Sequence, residues 1–177
     1  MKLAIMTKST FFVEEDKILS SLFDEGMDNL HLFKPGSSPM YAERLLTLLP
    51  EDYLRKITVH DHYYLKQEYG LAGIHIDDPL APVPDGYKGK FSRTCTDLSM
   101  LKEMKKKSNY VFLKNIFDCI EFKDEKSSFN LQQLENAAKA GLIDKKVYAL
   151  GGMSLENLKI AKELGFGGVV ICGDLWN

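Results

Sequence analysis

Cysteine is scarce in this chain: Cys95, Cys119 and Cys172 are widely spaced among 177 residues, with no CxxC pair. That excludes a disulfide-stapled scaffold and a zinc knuckle, and it leads us to expect a reducing, cytoplasmic setting. Charge of one sign is also lacking, since 23 Lys and Arg against 25 Asp and Glu leave a formal net charge of −2 and a pI of about 6.1. No stretch collects the dense basic surface that grips a phosphate backbone, so nucleic acid is not an expected partner. Long apolar runs are missing too. The stretch from Val169 to Cys172 falls far short of the ~18 residues a membrane span needs, so no membrane association is expected. The opening MKLAIMTKSTFF has only a short apolar run and no small-residue cleavage site after it, which predicts no secretory leader.

What the chain does contain is 45% hydrophobic and 27% charged residues, the balance of one ordinary globular domain spanning residues 1–177. Along it, short apolar strands alternate with helical stripes. Strands are predicted over 3–8, 29–34, 56–61, 72–77, 89–95, 110–115, 146–150 and 168–172. Helices are predicted around Ile18–Phe23, Met40–Leu49, Tyr63–Tyr69, Asp97–Lys107 and Leu131–Ile143, with a last one capped by Ser154 and closed by Gly165. The segment PLAPVPDGYKG carries three of the six prolines and cannot be helical, so the connection between strands four and five lacks its helix. This pattern predicts a small parallel (β/α)8 barrel whose working face lies at the C-terminal ends of its strands. An open doubly wound sheet is the runner-up.

Strand parity points His31, His60 and His75 toward one interior, together with Phe33, Thr58 and Gly73. Three such imidazoles can bind a metal or shuttle a proton. The blander reading is that they fill polar slots and bond to the hydroxyls of Thr58, Ser92 or Thr94. Asp61, Asp77 and Asp78 end strands three and four, where carboxylates suit Mg²⁺ but equally suit turns and caps. Gly151-Gly152 after strand seven and Gly173 after strand eight suit a backbone cradle for phosphate, or simply tight βα turns. Lys34, Lys114 and Lys123 follow strand ends and can balance phosphate charge, Lys34 best of the three.

The order NLHLFKPGSS, ITVHDHYYLKQEYGLAGIHIDDP, FSRTCTDLSML, YVFLKNIFDCIEFKDEKSSF and VYALGGMSLENLKIAKELGFGGVVICGDLW resembles the thiamin phosphate synthase/TenI family across nearly the whole chain. The resemblance implies a (β/α)8 barrel that joins an aminopyrimidine methyl pyrophosphate to a thiazole phosphate with Mg²⁺, or, among TenI relatives, aromatises the thiazole by proton transfer. It implies phosphate binding by Gly151, Gly152 and Gly173, Mg²⁺ at Asp61 with Asp77 or Asp78, pyrophosphate contacts from Lys34 and Lys123, and roles for His60 and His75 in the site and its lining. Departures are plain. Phe33-Lys34 stands where the family has a basic cluster, His60-Asp61 where it has Asn-Asp, and Asp77-Asp78-Pro79 where it has Gly-Gln-Glu-Asp. Ser92 to Thr96 lacks the family's Ser-x-Ser-Cys-His pattern, Lys114-Asn115 replaces the histidine-bearing pair used by tautomerases, and Phe122 takes the place of a pyrophosphate lysine that lies one residue on, at Lys123. The resemblance therefore implies either a thiamin phosphate synthase acting on small phosphorylated thiazole and pyrimidine ligands, or a catalytically degenerate TenI-like barrel that binds a phosphorylated or thiamin-related ligand. A barrel this short is also a candidate for pairing into a homo-oligomer, with Trp176 a candidate contact.

Overall fold

The computed structural model describes residues 1–119, 122–155 and 157–176. Eight strands, all parallel in their described pairings, follow one another around a closed barrel in chain order, β1-β2-β3-β4-β5-β6-β7-β8, with helices in every connection except that from β4 to β5. Residues 4–75 form one compact unit, and residues 1–3 with 76 onward form another.

In the first unit, β1 (Lys2–Met6) pairs with β2 (Leu30–Leu32), and β2 with β3 (Ile57–Val59), in a register that sets His31 against Thr58. β4 (Gly73–Ile76) follows on β3. Helix α1 (Glu15–Asp24) turns Leu19 and Phe23 inward at a spacing of one helical turn, burying both. It ends at Gly26, whose φ of 105° suits a residue without a Cβ. α2 (Pro39–Thr47) starts on an extended Ser38 whose hydroxyl accepts the Met40 N–H, with proline at the first helical position, where no N–H is needed. Pro50 then opens an unforeseen single-turn α3 (Glu51–Leu54) instead of only closing α2. α4 (Tyr64–Tyr69) stops at Gly70 in the left-handed region, and the Leu71 N–H reaches back to the Lys66 carbonyl.

The second unit holds β5 (Phe91–Cys95), β6 (Tyr110–Lys114), β7 (Val147–Leu150) and β8 (Gly168–Ile171), paired in that order. Residues 77–90 contain no helix, as the prolines dictate, and the Arg93 guanidinium fastens this irregular connection by donating to the carbonyls of Pro79 and Ala81. The predicted helix over 97–107 is split: Asp97 caps a 3-10 turn (Leu98–Met100) that leads into α5 (Leu101–Lys107). α6 (Leu131–Lys139) begins with a reciprocal capping box between Asn130 and Gln133. It stops short of Ile143 because Gly141 turns left-handed and Leu142 N–H closes on Ala137 O. α7 (Leu158–Glu163) starts four residues after Ser154, which does not cap it. The Ser154 N–H instead donates to the Asn157 side chain, and Asn157 is the residue at the cap. α8 (Gly173–Trp176) follows β8. The apolar core of this unit runs from Cys95 and Leu113 through Leu134 and Ala149 to Phe166 and Ile171. Among the described residues no helix is long and apolar enough to cross a membrane.

Candidate active site

β2 is continued by Phe33 and Lys34. The Thr7 hydroxyl at the end of β1 grips Phe33 from both sides, donating to its carbonyl at 3.1 Å and accepting its N–H at 3.0 Å. That fixes the exit direction of the chain, and the Lys34 side chain turns under the loop of residues 8–14. Its ammonium donates to Glu15 Oε2 at 2.6 Å and to the carbonyls of Lys8 and Thr10 at 2.8 Å each. The ring of Phe11 lies 4.7 Å away, at cation–π distance. The pair is enclosed, with Lys34 4% and Glu15 2% exposed. Burial pushes the Glu15 carboxyl above its ordinary range, and the Lys34 hydrogen bond pulls it only part of the way back. Its second oxygen, Oε1, is buried without a hydrogen-bond partner.

Beside this pair lies a small surface pocket lined by Phe11, Lys34, Ser37, Ser38, Asp61 and His62 among others. Asp61 is partly exposed there. His62 has a left-handed backbone, φ 54°, rare for a residue with a Cβ, and its Nε2 meets the Ser37 carbonyl at 2.9 Å. Sequence reasoning did not single out Glu15, Ser37 or His62. The first is separated from Lys34 by 19 positions, and a left-handed histidine leaves no periodic trace.

His31, His60 and His75 converge as strand parity predicts, at 0%, 2% and 0% exposure. His31 Nδ1 meets His60 Nε2 at 2.8 Å, and the His60 and His75 rings stack at 4.3 Å. His31 is thus in contact with another imidazole. Burial, with His60 adding to it, holds the His31 imidazole well below its ordinary pKa and hence neutral.

In the other unit, Gly151 and Gly152 follow β7 with φ of 104° and 61°. A Cβ on Gly152 would run into the Asp118 carbonyl and the Phe117 side chain, and one on Gly151 would press within 3.0 Å of Asn115. The turn is therefore packed against the loop after β6, a role for glycine that local sequence does not reveal. Its carbonyls are spoken for: Gly151 O accepts the Phe117 N–H and Gly152 O accepts from Asn157 Nδ2, both at 3.0 Å. Lys114 is paired with Glu125 at 2.8 Å. Lys123 is exposed on a turn closed by the Glu125 N–H to Phe122 O bond. Asp77 and Asp78 are exposed, and Asp78 accepts the Leu80 N–H as a turn residue does. Gly173 opens α8.

A closed, all-parallel barrel with helices between its strands is the (β/α)8 architecture, whose enzymes work at the C-terminal face. The chain is 47% identical to the thiamine phosphate pyrophosphorylase of Bacteroides thetaiotaomicron, with a TM-score of 0.90, covering 100% of this chain and 85% of that one. The thiamine phosphate pyrophosphorylase of Pyrococcus furiosus, 15% identical over 97% of this chain and 85% of that one, has a TM-score of 0.76 and shares the fold. The 3-hexulose-6-phosphate synthase of Salmonella typhimurium does so at 11% identity and a TM-score of 0.64, over 99% and 90% of the two chains. No protein-family model and no curated protein sequence matches. The chain belongs to the thiamin phosphate synthase (thiamine phosphate pyrophosphorylase)/TenI family.

Proposed function

We propose that this protein is a cytoplasmic thiamin phosphate synthase that joins hydroxymethylpyrimidine pyrophosphate to a thiazole phosphate and releases pyrophosphate. The observation that carries the proposal is the 47% identity over the whole chain to a thiamine phosphate pyrophosphorylase. In the reaction the bond from the pyrimidine methylene carbon to the pyrophosphate oxygen breaks, its electron pair leaves with pyrophosphate, and the thiazole nitrogen lone pair forms the new carbon–nitrogen bond.

The donor chemistry of the pocket fits Mg²⁺, which takes one or two carboxylates together with waters and phosphate oxygens. Asp61, partly exposed beside the Ser37 and Ser38 hydroxyls, is the carboxylate that would hold it. When bound the ion would neutralise charge on the departing pyrophosphate. Lys34 would border the pocket from within its ion pair with Glu15, and Lys123 would meet a phosphate group from its exposed turn. With both glycine carbonyls committed, the turn after β7 would offer its amide side to the thiazole phosphate, aided by the Gly173 backbone. His60 and His75 would line the interior beneath the reacting groups.

A second reading is favoured by the commitment of Lys34 to Glu15, Lys8 and Thr10. A cation so enclosed is poorly placed to grip pyrophosphate, as in a barrel that binds a thiamin-related phosphate without condensing its precursors. Turnover of the two substrates with Mg²⁺, run beside calorimetric titration with thiazole phosphate and thiamin phosphate, separates them. Condensation at a rate that falls with Asp61→Ala supports the synthase, and phosphate binding without condensation supports the second reading.

A further inference from the structure

We propose that His31, His60 and His75 form a binding site for one divalent transition-metal ion of the zinc type, inside the unit of residues 4–75 and separate from any Mg²⁺ at Asp61. Each imidazole offers one ring nitrogen, and the three nitrogens all lie within 4.8 Å of one another. Parity explains why: His31 sits within β2, His75 within β4, and His60 directly after β3, so three neighbouring strands aim one side chain each into the same space. Tetrahedral coordination at the usual zinc–nitrogen length needs ligand nitrogens roughly 3.3 Å apart. The His31–His60 contact at 2.8 Å opens slightly to reach this, and the stacked His60 and His75 rings tilt apart from their present 26°.

Three nitrogen donors with no carboxylate among them select zinc, cobalt or nickel over Mg²⁺, which demands oxygen. Three protein ligands also leave the fourth position of a tetrahedral ion to a water or a ligand atom, the composition of a working site more than of a closed structural one. At 0% to 2% exposure, the imidazoles hold the ion in a setting of low dielectric where an anionic fourth ligand is strongly preferred. Neither this site nor its occupancy depends on the synthase reading.

The test is elemental analysis of the full-length protein, freed of any polyhistidine tag and purified without chelator, followed by loading with Co²⁺. The site predicts about one equivalent of metal per chain and the intense visible absorption of four-coordinate Co²⁺. Both are lost in His60→Asn and in His75→Asn, and both survive in His62→Asn, whose imidazole lies outside the cluster. Zn²⁺ also raises Tm in the wild type and leaves His60→Asn unmoved. X-ray absorption of the zinc-loaded wild type, which requires no variant, shows imidazole nitrogen scattering from the three side chains. A wild-type protein that takes up no metal, or one whose metal stays after His60→Asn or shows oxygen ligation only, overturns the proposal.

Discussion

Replacing Lys34 by methionine keeps most of the stem that packs beside Phe11 and removes the ammonium. What remains is a carboxylate at 2% exposure, one of whose oxygens has no hydrogen-bond partner and whose other oxygen loses the ammonium. The Lys8 and Thr10 carbonyls lose their donor as well. Removing one partner of a buried ion pair costs about 3–5 kcal/mol. For a chain of this size each kcal/mol lowers Tm by about 2–4 °C, so the expected drop is about 6–20 °C. Thermal unfolding followed by circular dichroism measures it. Glu15→Gln supplies the pH arm. Because burial raises the Glu15 carboxyl above its ordinary 4.5, the fold holds a proton there that the unfolded chain releases. The stabilisation from that proton is complete below 4.5 and disappears as pH rises through the raised value. The stability of wild type relative to Glu15→Gln should therefore fall with rising pH across that window and stay flat above it. A Lys34→Met protein that melts within about 2 °C of wild type, less than 1 kcal/mol at this size, would refute the enclosed ion pair.

Gly152→Ala places a methyl group against the Asp118 carbonyl at a left-handed φ, and we expect a Tm several degrees lower together with weaker binding of thiazole phosphate by calorimetry. Phe112, fully buried against Tyr110 and Tyr148 in the second unit, should cost about 3–5 kcal/mol when cut to alanine, read by urea unfolding. Asp97 accepts the Ser99 N–H and hydroxyl, and these bonds hold its carboxyl below the ordinary range. Its contribution is therefore present at neutral pH and lost as pH falls through the lowered value, so Asp97→Ala should destabilise at pH 7 and converge with wild type in acid.

Much of this barrel is legible in the sequence because strand and helix periods differ and because prolines veto a helix between β4 and β5. The histidine cluster follows from parity alone: two-residue periodicity carries His31 and His75 to the same face, and continuing β3 by one residue adds His60. Features set by distant partners are not legible. The Lys34–Glu15 bond joins a strand end to the first turn of a helix, and nothing in either local pattern announces it. Gly151-Gly152 reads from sequence as a phosphate turn, while the nearness of Asn115, Phe117 and Asp118 shows that packing also requires glycine there. Cap competition misled where several polar residues stood close together, as when Asn157, not Ser154, took the helix start.

The synthase reading is tested most directly by measuring thiamin phosphate and pyrophosphate together after mixing purified protein, both substrates and Mg²⁺. We expect the two products in equal amounts, with formation largely abolished in a folded Asp61→Ala protein. Unchanged turnover in Asp61→Ala, or no product from a wild type that binds both substrates, would contradict it.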